Sequence, residues 1–392
     1  MPAKKVTEEP DDSQTWELLE RCLLPVAFSH AVAVIISTVL NTLGISQTSS
    51  FVLFLLFLSL SIGFTLFYHN LKVTAPGKAV LVTGCDSRVG CALAKRLDEL
   101  GFTVFAGFTN KFDNEDKVDN LKKDTSGRLH ALQLDITNEH DIHSAFLYVN
   151  ENLPDGAPEK IFFYAFLVLQ NLKGLHFKIR PFDFRLWALI HANAWITLGE
   201  CEWVPLSVVR KSVDTNFISV ARLTQVFLPL IRRCKGRIIL VTSILARIPS
   251  AIRGVQCANG AALEAWGSCL RLEMRRWGVD VVVVETGEYV AGNSWLKDNS
   301  ALLNQARDMW VQLEPQTRKE YGEELFQKEM LSLEKYTKGP EADLTRVMRA
   351  LVDGTTKTFP LKRYTPVTRK ERLQAFVSDH LPKSIYDIIY TD

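Results

Sequence analysis

Thr83-Gly84-Cys85-Asp86-Ser87-Arg88-Val89-Gly90 follows the short apolar run Ala79-Val80-Leu81-Val82 and precedes a helical pattern over residues 90–100. Strand, glycine turn and helix in that order open a parallel α/β sheet. The glycines let the backbone turn tightly and approach a dinucleotide pyrophosphate, which rests on the helix N-terminus. Gly101 stands where a C-terminal glycine closes a helix.

Outward from this turn the strand–helix alternation continues. The sequence predicts strands at residues 103–107, 132–135, 186–190, 237–242 and 279–284. Runs such as Ile238-Ile239-Leu240-Val241 and Val281-Val282-Val283-Val284 are apolar throughout rather than alternating, as in parallel strands buried on both faces. The fold class expected is α/β, a Rossmann-like doubly wound parallel sheet with its ligand edge at the carboxyl ends of the strands.

The turn resembles the TGxxxGxG motif of the short-chain dehydrogenase/reductase family, and the resemblance extends from residue 77 to the end. The segments that carry it are Thr83-Gly84-Cys85-Asp86-Ser87, Phe105-Ala106-Gly107, Phe227-Leu228-Pro229-Leu230-Ile231-Arg232-Arg233, Leu263-Glu264-Ala265, Arg363-Tyr364 and His380-Leu381-Pro382. They are similar to the branch holding type 1 3-hydroxybutyrate dehydrogenase, the retinol dehydrogenases and type 2 17-beta-hydroxysteroid dehydrogenase. The resemblance implies an oxidoreductase of CH–OH groups using NAD or NADP. Its cofactor would be held by Thr83, Gly84, Asp86, Ser87, Arg88, Gly90, Asp135 and Gly287. It also implies dimerisation through the helix beginning near Val255.

Carried over residue by residue, the family's oxygen-holding serine falls on Ser243 and its water-relay asparagine on Asn216. The proton-transferring tyrosine falls on Gln256 and its activating lysine on Gly260. Glutamine carries no titratable proton and glycine no cation, so that acid–base pair is missing. The middle glycine of the turn is Arg88, which either pairs with a phosphate or swings into solvent over a closed pocket. Asn-Asn-Ala-Gly becomes His191-Ala192-Asn193-Ala194, and the Pro-Gly pair becomes Thr286-Gly287. No acidic residue ends the second strand, where Phe108-Thr109-Asn110-Lys111 stand, so NAD and NADP are not distinguished. Tyr289 is a candidate substitute acid. His191 reads as a neutral strand-end histidine or a catalytic one, and Cys257 as a packed thiol.

Residues 23–44 and 51–68 are nearly all apolar and each is close to the length of a bilayer-spanning helix. Lys4, Lys5 and Arg21 precede the pair, and Lys72 and Lys78 follow it. The positive-inside tendency therefore predicts a membrane hairpin with both ends cytosolic, the alternative being one span plus an interfacial or core helix. Glu8-Glu9-Pro10-Asp11-Asp12 argues against a signal peptide or mitochondrial presequence, which leaves the endoplasmic reticulum as the preferred membrane. The organisation expected is a polar tail (1–22), a membrane anchor (23–70) and a dehydrogenase domain (77–392). That domain carries an insertion at 161–185 and a substrate-covering region from 294 to 392.

The insertion, with Ile161-Phe162-Phe163-Tyr164-Ala165-Phe166-Leu167-Val168-Leu169, reads either as an apolar flap against the membrane or as an unspliced intron translated in frame. Met309 and Trp310 read as apolar wall or core, and residues 373–390 as a segment docking on the domain or the membrane. Forty-six basic against 44 acidic residues give no polyanion-binding footprint, so nucleic acid is not an expected partner. Seven scattered cysteines argue against a disulfide framework or a zinc site, most of them reading as buried thiols.

Two functions from different classes follow. One is a pseudoenzyme that keeps the fold to bind a small apolar ligand or a partner subunit, as a homo- or heterodimer. The other is an active oxidoreductase on a steroid, retinoid or similar apolar alcohol or ketone, with a rearranged site.

Overall fold

The structure, a computed structural model, describes residues 12–45, 49–154, 186–287, 299–337 and 343–390. It divides into two compact units, Met1–Val73 with Thr356–Pro360, and Thr74–Thr355 with Leu361–Asp392.

The first unit is built on helices α1 (Asp12–Thr42) and α2 (Ser50–Asn70). Cys22–Thr42 and Ser50–Asn70 are each 21 residues, long and apolar enough to cross a membrane. The two helices pack on each other as a hairpin: the Ser29 and Ser61 hydroxyls lie 3.0 Å apart, and the His30 ring meets Phe54 edge-on at 5.6 Å. Small and hydroxyl-bearing residues are the side chains that let apolar helices approach and bond. The outer face stays bare. No residue of α2 is buried, and Phe28, Phe64 and Phe67 are all more than 60% exposed. Beyond α2, Val73 N–H donates to the Thr356 carbonyl (2.7 Å) and Thr358 N–H to the Leu71 carbonyl (2.9 Å).

The second unit is a seven-stranded sheet in the order β3-β2-β1-β4-β5-β6-β7. Its strands are β1 (Ala79–Val82), β2 (Thr103–Phe108), β3 (Leu129–Gln133), β4 (Leu186–His191), β5 (Arg237–Ser243), β6 (Asp280–Thr286) and β7 (Arg363–Tyr364). Every pairing is parallel. The order reverses between β1 and β4, the switch point beside which such sheets bind ligands. Helices α3 (Arg88–Glu99), α4 (Glu115–Lys123), α5 (Glu139–Glu151), α6 (Leu206–Val213), α7 (Ser219–Arg233) and α8 (Gly254–Met274) flank the sheet. α5, α7 and α8 bury Ile142, Leu223, Phe227, Leu263 and Leu270 against Leu81, Leu189, Ile238, Leu240 and Val281.

Most strands end within one or two residues of the sequence reading, and two features differ more. The third strand is 129–133 rather than 132–135, because pairing with β2 sets its register from Val104↔Leu129 to Phe108↔Gln133. β7 was not foreseen: two residues carry no periodicity, and only pairing with β6 makes them a strand. Residues 155–185 and Tyr289 lie outside the described residues.

After β6 come α9 (Asn299–Gln312), α10 (Pro315–Tyr321), α11 (Glu323–Thr337), α12 (Thr345–Thr356), α13 (Arg369–His380) and α14 (Lys383–Tyr390). α9 and α11 close a small core of their own in which Trp310 stacks on Phe326 at 4.6 Å and Trp203 meets Trp310 edge-on at 5.0 Å. Met309 and Trp310 are thus core rather than open pocket wall, at 3% and 6% exposure. In the C-terminal helices Ala375, Val377 and Tyr386 pack on Ile244 and Ile248, while Ile388 and Ile389 point outward. None of the seven cysteines is in a disulfide, and only Cys85 and Cys234 are buried, fewer than their residue type led one to expect.

Candidate active site

The glycine turn is built as the sequence requires. Gly84 sits at φ +70°, and a Cβ there would lie 2.6 Å from the Ala192 carbonyl oxygen. A Cβ on Gly90 would lie 2.3 Å from the Gly84 carbonyl oxygen. Neither gap admits a side chain, so both glycines are demanded by backbone packing whether or not a phosphate approaches.

Ser87 caps α3: its hydroxyl accepts from Gly90 N–H (3.0 Å) and donates to the Gly84 carbonyl (2.7 Å). Arg88 opens the helix with an exposed side chain. Thr83 is buried and accepts from Ala192 N–H (3.3 Å), which ties the turn to the end of β4. Asp86 bridges to the β2–α4 connection, where it accepts from Thr109 N–H (2.7 Å) and from the Asn114 amide (2.9 Å). Sequence reasoning assigned Asp86 to the cofactor alone and missed this bridge, which depends on residues more than twenty positions away. Asp135 closes a local turn by accepting from the backbone and hydroxyl of Thr137 (2.9 and 2.7 Å).

At the carboxyl ends of β4, β5 and β6 lies a cavity of about 90 Å³. Ser243, Asn216, Gln256 and Gly260 all line it, so the four positions read from the sequence as serine, asparagine, tyrosine and lysine sites come together. His191, Asn193, Thr242, Asn259 and Thr286 complete its polar lining. Gly287 is buried just beyond β6, and none of residues 83–90 lines the cavity.

Asn216 stands in a π-helical turn (Asp214–Ile218) between α6 and α7, an irregularity frequent at functional sites. Its carbonyl oxygen accepts from Trp195 N–H, and its amide donates to the Trp195 carbonyl, both at 2.8 Å. Gln256 donates to that same Trp195 carbonyl at 2.9 Å. Both side chains therefore clamp the backbone of the 192–198 loop. Trp195 is a partner that sequence reasoning did not find, since the contact uses backbone atoms and leaves no residue-type signal. Ser243 accepts from Leu245 N–H (3.3 Å), capping the short turn Ile244–Ala246.

At Gly260 the α8 backbone presses on that turn. A Cβ would sit 3.1 Å from the Ala246 Cβ, 3.3 Å from its Cα and 3.4 Å from its nitrogen. A side chain at residue 260 would require Ala246, in the turn after Ser243, to give by a few tenths of an ångström.

His191 is fully buried. The Thr224 hydroxyl donates to the Val220 carbonyl (2.8 Å), so its oxygen accepts from His191 Nε2–H (2.8 Å). Burial pushes the imidazole down to about 3, which keeps it neutral and removes it as an acid at neutral pH. His191 Nδ1, Asn193 Oδ1 and Thr242 Oγ1 are buried with no hydrogen-bond partner among the described residues. Three such atoms around one cavity leave it polar enough to take water or a polar ligand group.

Behind β5 and β6 lies a buried charge cluster. Glu285, at 0% exposure, meets Arg247 (3.1 Å) and Arg363 (2.8 Å), and Arg363 reaches Glu264 at 3.2 Å. Burial, then the Glu285 charge, raise Glu264 to about 8, so it is protonated at neutral pH. Arg247 also pairs with Asp379 of α13, tying the C-terminal helices to the turn after Ser243.

The sequence pattern of the short chain dehydrogenase family matches residues 78–156 and 181–297, broken across most of the insertion. The chain is 34% identical over 323 residues to the D-beta-hydroxybutyrate dehydrogenase, mitochondrial, of Rattus norvegicus, covering 82% of this chain and 86% of that one. It is 30% identical over 321 residues to the estradiol 17-beta-dehydrogenase 2 of Mus musculus, covering 80% and 74%. Retinol dehydrogenase 16 of Mus musculus is 28% identical over 290 residues, covering 74% and 80%. Parallel sheet, glycine turn, site positions and these similarities agree that this chain belongs to the short-chain dehydrogenase family.

Proposed function

We propose that this chain is a membrane-anchored member of its family that holds a small apolar ligand and has lost most or all of the family's turnover. The observation that carries this reading is the bonding at the acid–base positions. Gln256 spends its amide on the Trp195 carbonyl, and at Gly260, where the lysine stem would emerge, an added Cβ would lie 3.1 Å from the Ala246 Cβ. General acid–base catalysis contributes roughly 100- to 10,000-fold, and neither residue can supply it.

The residues fit a nicotinamide dinucleotide poorly. The glycine turn and the α3 N-terminus are formed, but no cation stands at 260 to hold the nicotinamide ribose. The cavity of about 90 Å³ reaches the acid–base positions but none of the glycine-turn residues 83–90. What the chain's own groups do is bind: apolar Ile196, Leu198, Val220, Leu245 and Leu263 line the cavity, and Ser243 offers a hydroxyl.

Bare apolar faces on α1 and α2 support anchoring in a bilayer, since exposed apolar surface of that extent calls for a non-aqueous partner. The endoplasmic reticulum with a cytosolic domain, and dimerisation through α8, belong to the same proposal. The second reading, an active NAD- or NADP-dependent oxidoreductase, is favoured by Ser243 and Asn216 both lining the cavity.

Calorimetry with NAD, NADP and a panel of steroids, retinoids and hydroxybutyrate, followed by turnover on the same panel, separates the two. Binding of an apolar ligand without turnover is expected. Turnover at the level of active relatives would overturn the proposal and establish the second reading.

A further inference from the structure

Away from the cavity, the turns that feed β5 and β6 lie together. Asp280 N–H donates to the Gly236 carbonyl (3.1 Å), and the Arg232 guanidinium lies 4.7 Å from the centre of the Trp277 ring. The Lys235 side chain passes 3.4 Å from where a Cβ on Gly278 would stand. Arg233, Lys235, Arg275 and Arg276 are exposed here, and Arg232 and Arg271 are half-buried beside them. The acids facing them are Glu273 and Asp280, the second held 3.5 Å from Arg237.

Within this basic field stand two large apolar side chains, Trp277 at 47% and Leu272 at 63% exposure. Basic residues around an exposed tryptophan and leucine match the boundary of an anionic bilayer. Indole sits at headgroup level there, Leu enters the acyl edge, and Arg and Lys meet lipid phosphates and carboxylates.

Connectivity gives the same direction. All seven strands are parallel, so the turns before β5 and β6 lie on the edge where β1 also begins. Only residues 71–78 separate the end of α2 from β1, a tether of at most about 29 Å. Ser243 and Thr286 end the same two strands, seven residues or about 20 Å along, so the cavity opens at the opposite edge.

We infer that the basic, tryptophan-bearing edge formed by residues 232–236 and 271–279 docks on the surface of a bilayer carrying anionic lipid, with the ligand cavity directed away from it. The inference rests on the membrane-anchored reading. Its ligand is the headgroup layer itself, engaged through charge and through Trp277 and Leu272, and it asks for no change in the sheet.

The full chain in nanodiscs of phosphatidylcholine, with and without phosphatidylserine, provides the test by hydrogen exchange. Peptides covering 232–236 and 271–279 should exchange several-fold more slowly with phosphatidylserine present. Added salt should reverse the protection, because the Debye length falls. Arg275→Glu with Arg276→Glu should abolish it and leave exchange in β4 and β5 unchanged.

Equal exchange in both lipids overturns the inference. So does protection that appears only with an acidic protein present, which would assign the edge to a protein partner. Alkaline extraction of native membranes tests the anchor independently. Release of the chain refutes the anchor reading, whereas retention with equal exchange refutes only the docking edge.

Discussion

Converting Gln256 to Tyr and Gly260 to Lys restores the two residue types that the family uses, yet the packing predicts that this double variant stays nearly silent. A Cβ at 260 meets three atoms of Ala246 between 3.1 and 3.4 Å, and Ala246 belongs to the turn capped by Ser243. Overpacking of this kind costs about 1–3 kcal/mol. Replacing a mid-helix glycine by lysine returns somewhat under ~1 kcal/mol in helix propensity. Losing the Gln256–Trp195 hydrogen bond removes about 1 kcal/mol more.

The double variant should therefore be destabilised by about 1–3 kcal/mol, a fall in Tm of roughly 2–10 °C for a domain of this size. Adding Ala246→Gly removes the nearest contact without touching a polar group of the site. The triple variant should recover most of the Tm that the lysine cost and raise turnover at least tenfold over the double variant, within the range general acid–base catalysis supplies. Thermal melts by intrinsic fluorescence and NADH-linked turnover in the same detergent read both quantities. A double variant that melts no lower than the parent and turns over as fast as the triple would refute the reasoning that Ala246 closes the lysine's place.

Glu264 makes a pH prediction. Its carboxyl is raised from 4.5 to about 8 in the folded chain, so the native state holds a proton that the unfolded chain releases between those values. Stability is fullest below about pH 4.5 as far as this group is concerned, and is lost as pH rises through about 8, by on the order of a few kcal/mol. Glu264→Gln keeps an uncharged donor, so its melting temperature should fall less between about pH 6 and pH 9; equal slopes would count against the assignment. Gly90→Ala should cost more than about 3 kcal/mol with or without cofactor, because its methyl would lie 2.3 Å from a carbonyl oxygen; expression and melting measure it, and a neutral substitution would mean the turn is looser than described. Asn216→Ala removes an amide bonded to both backbone groups of Trp195 and should destabilise by about 2–3 kcal/mol, while Asn216→Asp, which keeps the acceptor for Trp195 N–H, should lose less.

Much of this protein was legible in its sequence because the relevant signals are local. Continuous apolar runs fixed β1, β2, β4, β5 and β6 to within a few residues, since a parallel strand buried on both faces leaves no other pattern. Gly84 and Gly90 could be identified from residue type and spacing because only glycine fits where two backbones nearly touch. Ser243, Asn216, Gln256 and Gly260 were numbered by resemblance, and the fold brings all four to one cavity.

What stayed hidden depends on atoms far apart in the chain. That Gln256 and Asn216 share the Trp195 carbonyl, that Asp86 spans to Thr109 and Asn114, and that burial and Glu285 raise the Glu264 carboxyl all depend on distance and burial. β7 exists only because β6 offers it an edge.

The strand–turn–helix at 79–99 was thus settled by the sequence alone, through the steric demands of glycine and the burial of β1. Whether a lysine could be accommodated at 260 was decided only by the tertiary structure. The space a side chain needs is set by Ala246, fourteen residues away, and residue type carries no record of that distance.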